Sequence, residues 1–234
     1  MSSRFDRGAC RLFPALVAAQ FGACASAPPP TPDQESRYYT FERAADGTLP
    51  ESFVAGVSGA EPPGRWEVAT VQQAAEGRRA LVQHVAGGSP ERRTVAWLRK
   101  SNLADLSLVV QGRAVDADGK PNPAAPVGLG LAWHVRDAQH FLAFSLADGE
   151  RGARVEVISE GSVRLLGSAP FIAEPGRWYR LTVEQVGAEF RCGVDGRILL
   201  EGTVPDAYRS GSVGVCTLGN ACAQFDQLTV VGAK

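Results

Sequence analysis

GLGLAWHV (128–135), HFLAFSL (140–146), ARVEVIS (153–159), VRLLG (163–167), RWYRLTVEQV (177–186), EFRCGV (189–194), RILLEG (197–202), GSVGVC (211–216) and AQFDQLTV (223–230) follow one another with short turn-forming gaps. Alternating apolar runs punctuated in this way are the signature of antiparallel strands, and so many in succession predict a two-sheet β-sandwich. Period two places Leu129, Leu131, Trp133 and Val135 on one strand face, and assigns Tyr179, Leu181, Val183, Phe190 and Val194 to the same core. Asp195-Gly196 predicts a two-residue hairpin, because both positions of such a turn need positive φ. Upstream, further strands are expected at 105–115, 94–99, 79–85, 65–71 and, first of all, YYTFER (38–43). The polar, proline-rich loop at 116–126 belongs at a rim. Beyond the leader no stretch keeps helical periodicity for three turns, so the class is all-β, and no fixed-period repeat points to a propeller or solenoid.

Composition narrows the function. The chain has 234 residues, 44% hydrophobic and 21% charged, enough for one substantial core. A formal net charge of −1 provides no field to attract nucleic acid, and leaves a lipid anchor as the expected route to a membrane. With 3 histidines, 5 cysteines and neither CxxC nor HExxH spacing, zinc and thioredoxin-like chemistry lack their usual frameworks. No cofactor is expected, and the chain reads as a monomer.

Residues 1–24 have the form of an export leader: Arg4, Arg7 and Arg11, then an apolar stretch too short to span a bilayer, then small residues. Phe21-Gly22-Ala23-Cys24 is similar to a lipobox, so two readings stand: a lipoprotein lipidated at Cys24, and a plain cleaved signal. The proline-rich tether at 25–37 tips the balance toward the anchor. The domain is then 38–234, exported to the periplasm, the outer membrane or the exterior. Export permits disulfides, and the loop between Cys216 and Cys222 suggests that these two pair. Cys192, in phase with Phe190 and Val194, reads as a small buried hydrophobe.

The order of several short motifs resembles a family. F-E-x-x-x-D-G-x-L-P-x-x-F (41–53), W-E-V (66–68), G-L-x-W-x-x-R-D-x-x-x-F (130–141), G-R-W-Y-R-L-T-V (176–183), V-D-G-R (194–197) and G-S-V-G-V-x-T with F-D-Q-L-T-V (211–230) are similar to the bacterial concanavalin A-like jelly-roll domains grouped with family 16 glycoside hydrolases and the 3-keto-disaccharide hydrolase domain. The resemblance implies a jelly-roll sandwich, a fold that carries binding modules, lectins, hydrolases and inert spacers alike.

Sandwich glucanases of this kind carry two catalytic glutamates in the pattern E-x-D-x-E, and Glu156 and Glu160 keep that spacing here. Ile158 stands where the aspartate would tune them, and Glu160-Gly161 reads as a turn, so two solvated surface glutamates is the plainer reading. His134, Arg136, His140, Arg154 and Glu156 are candidates to share an open sheet face suited to sugar hydroxyls, against the plainer alternative of a solvated face with a surface ion pair. Glu42 and Asp226, on strands expected to lie side by side, are candidates for one structural calcium ion. The functional expectation is an exported, non-catalytic domain binding glycan at the cell envelope. The alternatives are a glycoside hydrolase-like enzyme and a structural domain without a small ligand.

Overall fold

The computed structural model describes residues 34–61, 64–84 and 89–233. The leader 1–24, Cys24 and most of the 25–37 tether lie outside the described residues. Within them the chain is all-β, with two antiparallel sheets and no helix.

One sheet holds eight strands: β1 (Gln34–Tyr39), β3 (Arg65–Thr70), β4 (Arg79–His84), β6 (Asp105–Val115), β11 (Tyr179–Val186), β12 (Glu189–Val194), β13 (Arg197–Thr203) and β15 (Cys222–Ala233). Their order is β13-β12-β11-β6-β15-β4-β3, and β1 pairs with the second half of β15. The other sheet holds β2 (Phe53–Val57), β5 (Arg93–Leu98), β7 (Gly128–Asp137), β8 (His140–Ala147), β9 (Ala153–Ser159), β10 (Ser162–Ala169) and β14 (Ser212–Leu218), ordered β10-β9-β8-β7-β14-β5-β2. The crossovers between the sheets are those of a jelly roll. The first strand starts at Gln34, four residues inside the expected 25–37 tether, and ends at Tyr39, so Phe41 to Arg43 are not strand.

The core lies between the sheets. Leu108 and Val110 from β6, Leu181 and Val183 from β11, and Phe190, Cys192 and Val194 from β12 meet Leu129, Leu131 and Trp133 from β7 and Phe144 and Leu146 from β8. Burial of this kind contributes roughly 25 cal/mol for each Å² of apolar surface removed from water, and it is the main term holding the layers together. Asp195-Gly196 forms the expected reversal, with φ of 51° and 82°. The 116–126 loop runs at a rim, where Asp116 closes a plain turn by accepting from the Asp118 and Lys120 amides.

Val135 departs from the expected core. His134 adopts φ 50° in a bulge where the pairing of β7 slips against both β8 and β14. An extra residue reverses the alternation beyond it. Trp133 and His134 therefore both turn inward, while Val135 joins a second apolar cluster with Val95, Ala132, Phe141, Ala143, Ile158 and Cys216 on the far face of the seven-stranded sheet. Gly211 makes the bulge possible, since a Cβ there would stand 2.6 Å from the His134 carbonyl carbon.

The expected disulfide is not formed. Cys216 lies on β14 of one sheet and Cys222 opens β15 of the other, because the chain crosses between the sheets at 218–222 instead of returning as a hairpin within one.

Candidate functional site

The far face of the seven-stranded sheet is where the ligand-binding residues were expected, and it is closed. Its floor is small: Ala132, Ala143, Ser145, Cys216, and Gly130 and Gly214. A Cβ on Gly214 would lie 2.0 Å from the Ala96 carbonyl oxygen, so the sheet curves there as only glycine permits. Over this floor Arg93 of β5 meets Glu156 of β9, Nε to Oε2 at 2.9 Å and Nη2 to Oε1 at 3.0 Å. The two side chains are only 5% and 4% exposed. Arg93 Nη1 also donates to the Pro90 and Arg92 carbonyls, each at 2.9 Å. The tip of the β7–β8 hairpin then straps the edge. Gln139 Nε2 donates to the Val57 carbonyl at 2.9 Å, its Oε1 accepts from the Gly59 amide at 2.8 Å, and Ala138 packs against Gly56.

The five expected ligand residues are thus not brought together. His134 points between the sheets, fully buried, its Nε2 2.9 Å from Gln185 Oε1, which also accepts from Trp133 Nε1 at 2.8 Å. Burial holds this imidazole neutral and lowers its pKa to about 4. Arg136 is exposed and lies over the Tyr208 ring at 5.4 Å. His140 pairs with Asp137 at 2.9 Å, and Arg154 reaches the Arg151 and Asp148 carbonyls. Glu156, expected on the surface, is consumed by Arg93, a partner whose role no local sequence pattern marked. Glu160 is exposed at φ 50° in the β9–β10 turn, so the spacing from Glu156 does not place two carboxylates on one strand face.

Glu42 and Asp226 do share a corner, but as anchors of the β3–β4 loop. Asp226 is fully buried in a bulge of β15 and accepts from the Glu76 and Gln227 amides at 2.8 and 2.7 Å. Burial first, with Glu42 and Glu76 adding, raises its carboxyl to about 6. Glu42 Oε1 accepts from the Arg78 and Arg79 amides at 2.9 and 2.7 Å, which lowers its pKa. Calcium takes six to eight oxygens, so an ion here would need ligands beyond these two carboxylates, of which Glu42 accepts its backbone N–H bonds through Oε1 alone. No group of three or more His, Cys, Asp or Glu side chains arranged for a metal occurs among the described residues.

A cleft of about 660 Å³ opens elsewhere, between β1, the turn before β2 and the exit of β5, lined by Arg37, Glu51, Ser52, Arg99 and Lys100. The register builds it: Phe53 pairs with Leu98, and the Arg99 amide donates to the Ser52 carbonyl at 2.8 Å. Arg99 Nε and Nη2 reach the Glu51 and Phe53 carbonyls at 3.2 and 3.4 Å, and Arg37 Nη2 donates to the Lys100 carbonyl at 3.0 Å while pairing with Glu35. Planar polar heads on aliphatic stems then face one opening, a combination that suits a ring with hydroxyls on its edge. Sequence reasoning missed this cleft because its residues come from three segments, and Glu51 and Ser52 fill only the unspecified positions of the 41–53 motif.

No protein-family model matches the chain, and no curated protein matches it in sequence. Solved structures do share its architecture. It is similar to the carbohydrate binding module CBM66 from Bacillus subtilis (TM-score 0.57, 14% identity, covering 75% of this chain and 94% of that one). It is similar also to the cellulose induced protein Cip1 (TM-score 0.56, 9% identity, covering 83% and 96%). Basic winged bean lectin, solved with Tn-antigen, gives a TM-score of 0.53 at 10% identity, covering 86% and 98%. At these identities the likeness defines the fold: a concanavalin A-like jelly-roll sandwich.

Proposed function

We propose that this chain is a non-catalytic carbohydrate-binding domain of the cell envelope, exported by residues 1–24, tethered by the part of 25–37 that precedes β1, and either lipidated at Cys24 or released. The scaffold it shares with a carbohydrate binding module and a lectin supports the ligand class. The observation that carries the reading is the fate of Glu156. A carboxylate locked in a buried bidentate pair is neither a mobile acid nor an available nucleophile, and Glu160 stands in solvent on a turn. Ligand is placed in the Arg37–Arg99 cleft and not on the filled face of the seven-stranded sheet.

Closure of that face is the specific observation that favours the second reading, a structural domain without a small ligand. A glycan panel separates them. Retention of the full mature chain by at least one glycan, with no release of reducing ends and no change in Glu160→Gln, is expected; Glu156→Gln, which strips the buried Arg93 of its partner, is assayed at a temperature where its melting curve shows it folded. Hydrolysis lost in either variant contradicts non-catalysis, and silence across the panel leaves the structural reading. Mass spectrometry of the mature N-terminus decides the state of Cys24.

A further inference from the structure

Resting on that reading, we infer that the cleft selects an acidic saccharide, with the Arg99 guanidinium receiving a sugar carboxylate and Lys100 adding a second positive charge. Arg99 is exposed and forms no ion pair with a described carboxylate, a state it shares with other exposed arginines such as Arg43, Arg164 and Arg197; what sets it apart is its place on the lining of a cleft with Lys100 beside it. Its two hydrogen bonds go to the backbone carbonyls of Glu51 and Phe53, which fix the side chain without neutralising it. Lys100 is exposed beside it, and no carboxylate among the described residues forms an ion pair with it. Arg37 closes the opposite wall, its own charge met by Glu35.

A guanidinium held by carbonyls on one side keeps N–H groups for the other, and its fork matches a carboxylate in two parallel bonds. The ordering of that side chain is already present before ligand arrives, so less freedom is lost on binding. Glu51 is the single carboxylate on the lining. It disfavours a second acid at its end of the cleft and accepts from sugar hydroxyls instead, so the fit is to a chain carrying one carboxylate per ring with free hydroxyls, as in a uronic-acid oligosaccharide. Because the cleft is open to solvent, the attraction is screened and affinity falls with added salt.

The test is calorimetry on the full mature chain with a uronic-acid trisaccharide and its carboxyl-reduced, neutral counterpart, for the unaltered protein, Arg99→Gln and Lys100→Gln. The acidic sugar is expected to bind about tenfold more tightly than the neutral one, with Arg99→Gln removing the difference between the two sugars. Lys100→Gln, whose side chain forms no hydrogen bond or ion pair with a described residue, is expected to weaken the acidic sugar about threefold in a protein that melts as before. Equal affinity for the two sugars overturns charge selection while carbohydrate binding stands. An acidic preference that survives both substitutions places the anion elsewhere and also overturns the inference. Binding of neither sugar, with other panel glycans retained, rejects the acidic class alone; silence across the whole panel removes the underlying reading too.

Discussion

Arg93 and Glu156 stand on strands four places apart in the order β9-β8-β7-β14-β5, and their side chains nevertheless meet through two hydrogen bonds of 2.9 and 3.0 Å. Laid flat, four strand spacings measure about 19 Å, which is beyond the reach of an arginine and a glutamate together. The pair therefore exists only because the sheet curls, and the curl is possible because glycine, alanine, serine and cysteine form its floor. Removing one partner leaves an uncompensated buried charge, which costs about 3–5 kcal/mol. Urea unfolding of Arg93→Met or Glu156→Leu should show a loss of that order, and the double substitution should lose less than the two singles summed. Single losses below about 1 kcal/mol would mean that the pair does not hold the curvature.

Acid sensitivity should trace to His134. Its folded pKa of about 4 lies below the usual 6.5, so the folded state binds fewer protons than the unfolded one between those values. Its contribution is complete above pH 6.5 and is lost as pH falls toward 4, about 3 kcal/mol in all. Asp226, raised to about 6, acts in the opposite sense, lowering stability as pH rises from 3.8 toward 6. His134→Asn, whose residue tolerates the left-handed backbone, should abolish the acid-side loss while keeping the Asp226 trend. Denaturant midpoints from pH 4 to 7 for both proteins check it; identical slopes would contradict the assignment.

The thiols of Cys192 and Cys216 should be inert in the native state. Both are fully buried, which pushes the Cys192 thiol well above its usual range and that of Cys216 up to about 12. Iodoacetamide at pH 8 followed by peptide mass mapping should find neither modified until denaturant is added. Modification in the folded protein would show that the core opens there.

Chelation should leave the protein unchanged. Because Glu42 Oε1 and both Asp226 carboxylate oxygens accept backbone N–H groups, melting in EDTA and in millimolar calcium should agree within about 1 °C, whereas a calcium-dependent rise of several degrees would mean that the loop rearranges to admit the ion.

Much of the architecture was legible in the sequence because period two and turn chemistry are local. Leu181 and Val183 alternate inward as written, and Asp195-Gly196 turns as such a pair must. The site was far less legible. One bulge at His134, enabled by a glycine 77 residues later, carried a candidate ligand residue into the core and Val135 out of it. Glu156 looked solvated because its partner lies 63 residues upstream on another strand. The Cys216–Cys222 loop has hairpin length, yet it is the crossover between sheets, and strand order is a long-range property that loop length alone does not encode.

The most direct test of where this sandwich meets its ligand is a ¹⁵N-resolved NMR titration with whichever panel glycan binds. Amide shifts concentrated at Arg37, Ser52, Arg99 and Lys100, with Ala143, Ser145 and Arg154 unmoved, are the predicted result. The reverse pattern, with the β8 and β9 amides shifting and Arg99 silent, would show that the filled face opens to the sugar and would contradict the account.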